Sequence, residues 1–315
     1  MKKIVALLFL FGCLGAKLSF AQQMAYIANN DLDNVSRTIA ICPIAEDGGL
    51  GKCALHFDRT FAAPVDVILN DDASVAYVAN AQDHSVSICP VNSDGTLALC
   101  VPFNDPSLEL AGAGLRLSAD NTLLYITNIL NEGTFSVCPV LDKGYLGSCT
   151  LYGHSHFKGS LGRIAFDLAG ESIYVPNARV HTVSICDTVF KNCSSIIDLG
   201  LSVPAGIDFN ASGDYFFVAN ADKNNVVICA TDKNTECAIS RGYNSIGYPT
   251  FDFAGGVTNI FTRTTTGYGY VPNRGNNTIS VCPIDPTTGA LDLCTAYNGG
   301  GSALNNPSSI WLADL

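Results

Sequence analysis

The groups in this chain with the chemistry to form a site are four histidines and three aspartates. His154-Ser155-His156 sets two imidazoles two residues apart, and His181 and His84 fall in loops of a repeated kind. A His-x-His pair with a third histidine is a transition-metal ligand set, and Asp198, Asp208 or Asp252 could complete it with an oxygen. The same histidines also read as solvated loop residues, because nothing in the sequence fixes their spacing across loops. On that reading no metal or other cofactor is called for. Asp66, Asp208 and Asp252 each interrupt an apolar, strand-like run. Carboxylates converging on one channel could do acid–base work or hold calcium. They could equally be lining groups that bond to backbone or water. Neither Gly-x-Ser-x-Gly nor His-Glu-x-x-His occurs. Asn298-Gly299-Gly300-Gly301-Ser302 precedes a strand rather than opening a helix, so it is a flexible loop and not a phosphate cradle.

What must position these residues is a repeat. Ala25-Tyr26-Ile27-Ala28-Asn29 recurs at residues 76–80, 124–128, 173–177, 216–220 and 269–273, and counted Asn to Asn the steps are 51, 48, 49, 43 and 53 residues. Around each copy lie an apolar run such as Pro64–Leu69, a turn, the Tyr-Val-x-Asn strand, a polar loop, a third strand such as Ser85–Val91 and a fourth such as Thr96–Cys100. Period-two alternation between turn signals marks strands. Units of this length with four strands mark propeller blades. The chain is therefore expected to be an all-β, six-bladed β-propeller of four-stranded antiparallel blades.

Cysteine confirms the register. Apart from Cys13, twelve cysteines fall two per repeat: Cys42 and Cys53, Cys89 and Cys100, Cys138 and Cys149, Cys186 and Cys193, Cys229 and Cys237, Cys282 and Cys294. The first of each pair ends a third strand and the second lies in a fourth, so each pair can face across one hairpin within disulfide reach. No Cys-x-x-Cys occurs, which argues against zinc or redox chemistry. Six disulfides within repeats are expected, and they imply an oxidising compartment.

The ends of the chain point the same way. The first repeat lacks a first strand, and Pro307–Leu315 supplies it, so the C-terminal strand should pair with the N-terminal blade and close the ring. Pro249–Phe253 reads as the first strand of the last repeat, followed by an insert over 254–267. Lys2 and Lys3 precede an apolar run from Ile4 to Ala16, with small residues at Ser19 and Ala21. That pattern is a signal peptide over 1–21, ahead of one domain over 22–315. Leu10-Phe11-Gly12-Cys13 is a looser lipobox, with Phe11 too bulky for the motif. The expected location is the periplasm or the exterior, with no transmembrane segment. The 315 residues are 48% hydrophobic and 14% charged, with a net charge of −11. Losing Lys2, Lys3 and Lys17 would take that charge to −14. Such a chain builds a core, and its acidity argues against a nucleic-acid partner.

The Tyr-Val-x-Asn strands, the Asn-rich loops after them and the valine- and serine-bearing third strands resemble YVTN-type β-propeller repeat proteins. These are similar in turn to lactonase-like and quinoprotein-like propellers. The resemblance covers the chain from about residue 24 to its end. It implies a binding face where the loops between fourth and first strands, and between second and third, surround the channel. Lactonase-like relatives usually have seven blades rather than six, and paired cysteines are not general among them. The repeated Asn29, Asn80, Asn128, Asn177, Asn220 and Asn273 are either a ring of amides for a ligand or strand caps, and sixfold repetition favours caps. The expected function is a monomeric, exported binding or scaffold module for a protein or carbohydrate partner. The alternative is a lactonase-like or lyase-like enzyme with its site in the channel. A metal- or quinone-dependent dehydrogenase finds no ligand set beyond the histidines.

Overall fold

The computed structural model describes residues 22–30, 37–108, 111–128, 133–159, 162–196, 200–232, 237–246, 251, 261 and 267–315. Residues 1–21, with the expected signal peptide and Cys13, lie outside them, as do Asp198, Asp252 and most of 254–267. Six antiparallel sheets form the blades of a β-propeller. The second blade shows the pattern: Pro64–Leu69, Val75–Asn80, Ser85–Pro90 and Val101–Phe103 run in order from the axis outward. The first blade takes its inner strand from the far end of the chain. Pro307–Asp314 pairs with Gln23–Asn29, Ile310 opposite Ile27 and Trp311 opposite Tyr26, so the ring closes as expected.

Two details differ from the sequence reading. The fourth strand of the second blade is Val101–Phe103, not Thr96–Cys100; Leu97 makes only an isolated bridge to Val91. The turn around Gly95 holds that segment away from the ladder, and the second cysteine of each pair stands at or just before its outer strand. In the sixth blade Phe261, not Phe251, exchanges both backbone hydrogen bonds with Tyr270, at 3.0 and 2.9 Å. Phe251 is buried against the fifth blade, packing with Phe217, Val226 and Ile228.

The core lies between blades. Six apolar clusters fill the six gaps: Tyr26 and Ile39 of the first blade meet Val67 and Val78 of the second, and Phe217 meets Val271 across the fifth gap. Alternate residues of each strand face opposite neighbours, which is why both faces of the inner strands are apolar. All six disulfides form within blades, with Cα–Cα distances of 4.0–4.3 Å. Those distances are the close, non-hydrogen-bonded kind of antiparallel pair.

The tyrosine of the repeat staples one blade to the next. Tyr26, Tyr77 and Tyr270 each donate a phenol hydrogen bond, at 2.8–2.9 Å, to the carbonyl of Gly95, Gly144 and Gly48 in the following blade. Each of those glycines turns a hairpin at positive φ and lies so close to its neighbour that a Cβ would overlap it. Burial pushes the Tyr26 and Tyr77 phenols up to about 12, so they remain donors. Where the next hairpin is short, over Cys186–Cys193 and Cys229–Cys237, Tyr125 and Tyr174 pack edge-on against Phe166 and Phe209 instead.

Candidate functional site

The inner strands break the sixfold pattern at the axis. Arg116 stands opposite Tyr125, Asp208 opposite Phe217 and Trp311 opposite Tyr26, so three blades place them at one level of the channel. Asp66 and Ser309 lie one level away, opposite Ala79 and Ala28. Arg163 enters from the fourth blade, whose inner strand is zipped to the fifth by Arg163 N to Ala205 O at 2.9 Å and Ile207 N to Arg163 O at 3.2 Å. Two glycines make room for it. A Cβ on Gly162 would lie 2.1 Å from the Ala205 carbonyl oxygen, and one on Gly114 2.5 Å from the Arg163 Cα.

These side chains form two buried ion pairs around one indole. Arg116 Nη2 lies 3.2 Å from Asp208 Oδ1, and Arg163 Nε lies 3.5 Å from Asp66 Oδ2. Both guanidinium groups sit over the half-buried Trp311 ring, 5.4 and 5.2 Å from its centroid. Cation–π attraction of this kind is worth more when desolvated. Asp66 accepts hydrogen bonds from the amides of Val67 (2.9 Å, Oδ1) and Leu115 (2.8 Å, Oδ2), which join the first-strand segments of adjacent blades. Burial pushes the Asp66 carboxyl up, against the opposing pull of Arg163, these amides and Ser309. These contacts tie the carboxyl to three blades besides its own, and the pair is structural as well as central. Asp66→Ala should cost about 3–5 kcal/mol in urea unfolding, because it leaves Arg163 buried and unpaired. The double change Asp66→Leu/Arg163→Met should recover most of that loss; equal losses in the single and double variants would contradict the coupling.

The other expected candidates are placed elsewhere. His154 and His156 are neighbours, with ring centroids 5.4 Å apart, but His154 Nδ1 accepts the His156 amide at 3.2 Å and His156 Nδ1 faces Ser195 Oγ at 3.1 Å on the outer strand of the fourth blade. His181 Nδ1 accepts the Val203 amide at 2.9 Å. His84 and His181 both occupy turns at positive φ. Among the described residues no three of these histidines lie within ligand distance of one another. Of the three aspartates, Asp66 and Asp208 are joined through the arginine–tryptophan cluster, and Asp252 lies outside the described residues. Among the described residues the one tight His, Asp and Cys grouping is His56, Asp58 and Cys100, within 4.8 Å. Cys100 is bonded to Cys89, and Asp58 holds the amides of Thr60 and Cys100, so no thiolate site exists there. The six repeated asparagines are buried caps. Asn80, for example, accepts the Ala62 amide and donates to Ser85 and Ser87 Oγ, tying an incoming loop to the third strand.

Arg116, Arg163 and Trp311 were not among the sequence candidates. Their signal was the one that exposed Asp66: a charged or bulky polar-edged residue inside a first-strand apolar run, as in Leu115-Arg116-Leu117 and Ile310-Trp311-Leu312.

The fold and this axial cluster define a six-bladed β-propeller with an asymmetric channel. No protein-family model and no curated protein sequence matches the chain. Solved structures do. A 6-phosphogluconolactonase-like protein of Bacteroides fragilis superposes with a TM-score of 0.60 at 15% identity, over 93% of this chain and 98% of that one. The periplasmic gluconolactonase of Pseudomonas aeruginosa gives 0.60 at 12%, over 93% and 99%. A chain of a nidogen–laminin complex gives 0.65 at 10%, over 93% and 98%. At these identities the likeness is one of fold, shared by proteins that do different things.

Proposed function

We propose that this chain is an exported, disulfide-stapled propeller that binds a carbohydrate at its channel. The observation that carries this reading is the asymmetry of the axis: five blades place Asp66, Arg116, Arg163, Asp208 and Trp311 together where the repeat would put equivalent residues. An aromatic ring with a few fixed polar groups is part of the general make-up of a small-ligand site. Export is supported by the six disulfides, by the Lys2-Lys3 start with its apolar run, and by the periplasmic location named for one structural neighbour. Cleavage after Ala21 would leave a single domain over 22–315, belonging with YVTN-type repeats.

A second reading, a lactonase-like enzyme, draws on the two lactonase-like neighbours. Against it, both described channel carboxylates are engaged by arginines, and Asp66 also by backbone amides, which suits them to holding a shape better than to shuttling protons. A thermal-shift screen of the oxidised chain separates the two. At least one of a panel of neutral and acidic oligosaccharides should raise the midpoint saturably, by an amount equivalent to about 2.7 kcal/mol at a hundredfold excess over Kd. Gluconolactone should not be turned over. Hydrolysis of a lactone faster than its spontaneous rate would replace the binding reading with the enzymatic one. A flat screen alongside capture of a protein partner would replace the carbohydrate.

A further inference from the structure

The Arg163 side chain is 2% exposed, yet its Nε and Nη2 have no hydrogen-bond acceptor among the described residues. Those two nitrogens are the side-on edge of the guanidinium, a fork that matches the two oxygens of one carboxylate. Asp66 does not fill it. Its Oδ2 stands 3.5 Å from Nε and is held by the Leu115 amide, while Oδ1 is held by the Val67 amide. Leaving buried donors unmade is costly, so such a group is a natural seat for a bound acceptor. The face of the same guanidinium lies over Trp311, which fixes the plane of the fork. The cluster is formally neutral, with two arginines and two aspartates, and a monoanion adds one charge where a dianion would add two in a buried place.

We propose that the Arg163 fork binds the carboxylate of an acidic sugar, a uronic or aldonic acid, in the propeller channel. This rests on the carbohydrate reading above and narrows it to acidic members. Trp311 is the single tryptophan of the chain, so its emission reports this place alone. The experiment titrates the oxidised full chain with D-glucuronate, D-glucose and inorganic phosphate at matched ionic strength. It follows Trp311 fluorescence and the 15N signals of arginine Nε–H groups. Glucuronate should give a saturable emission change and move one Nε–H signal; glucose and phosphate should do neither. Arg163→Lys keeps the charge, loses the fork and should weaken glucuronate binding about tenfold or more. If that variant does not fold, the Nε–H signal of the unaltered chain decides alone. Equal responses to glucose and glucuronate would overturn the carboxylate assignment and leave the carbohydrate reading standing. An equal response to phosphate would reduce the site to a general oxyanion seat and overturn the acidic-sugar assignment. No arginine signal moving with any probe would overturn the proposal, the fork then being satisfied by water.

Discussion

Deleting residues 307–315 is expected to abolish cooperative folding. Pro307–Asp314 is the inner strand of the first blade, and its ladder with Gln23–Asn29 is what joins the two ends of the chain. It is also stitched to the second blade, Ser308 Oγ donating to the Val65 carbonyl at 2.8 Å and Ser309 Oγ accepting the Val67 amide at 3.2 Å. Ile310 and Leu312 are buried in the gap between the sixth and first blades, and Trp311 carries both channel arginines. Burial of each large apolar side chain is worth about 1.5–3 kcal/mol. Losing three of them, a strand ladder and two ion-pair supports approaches the whole of a typical stability of about 5–15 kcal/mol. The inner edge of the first blade would also stand open, an invitation to strand-mediated association. Urea unfolding followed by circular dichroism should show a broad, shallow transition with a low m-value. A sharp transition at the intact midpoint would show that closure contributes little.

Reducing the disulfides should have the second-largest effect. Each bond closes a loop of 7 to 12 residues. In the chain-entropy model such a closure is worth about 3 kcal/mol. Six of these cannot add in full against a total of about 5–15 kcal/mol, but removing all of them should cost more than half the stability. The bonds hold the outermost strand of each blade, which is short and largely exposed, as in Thr150–Gly153 and Val101–Phe103. Once reduced, those strands should fray first. Exposure sets the order of attack: Cys149, Cys193 and Cys237 are half-buried, whereas both partners are buried in Cys42–Cys53, Cys89–Cys100 and Cys282–Cys294. Mass spectrometry of alkylated thiols during mild reduction should find the third, fourth and fifth blades opened before the others. Simultaneous loss of all six would mean that reduction follows global unfolding instead.

Much of this molecule is local, and what is local was legible. A blade is four strands joined by short turns, so its pattern of Tyr-Val-x-Asn, hairpin glycine and paired cysteines repeats within about fifty residues of chain. The sixfold spacing counted the blades, the cysteines set the register of each outer hairpin, and the missing first strand at one end matched the spare strand at the other. Phe251 lies in an apolar run with the signature of an inner strand, yet it is Phe261 that pairs with Tyr270. Alternating apolar residues mark a strand without saying which neighbour it will pair with.

What the repeated residues do was settled only by the packed ring. The tyrosine reaches a glycine carbonyl in the next blade, and the asparagine gathers a loop and two hydroxyls, as Asn80 does with Ala62, Ser85 and Ser87. The candidate site is further from local pattern still. Arg116 and Asp208 are 92 residues apart, and Trp311 meets them from the last strand of the chain. Five blades contribute one such residue each, so no short window of sequence contains two of them. The sequence determined the architecture because blades are built from near neighbours in the chain. Only the closed ring decided the site, because its charges meet across an axis that no single blade contains.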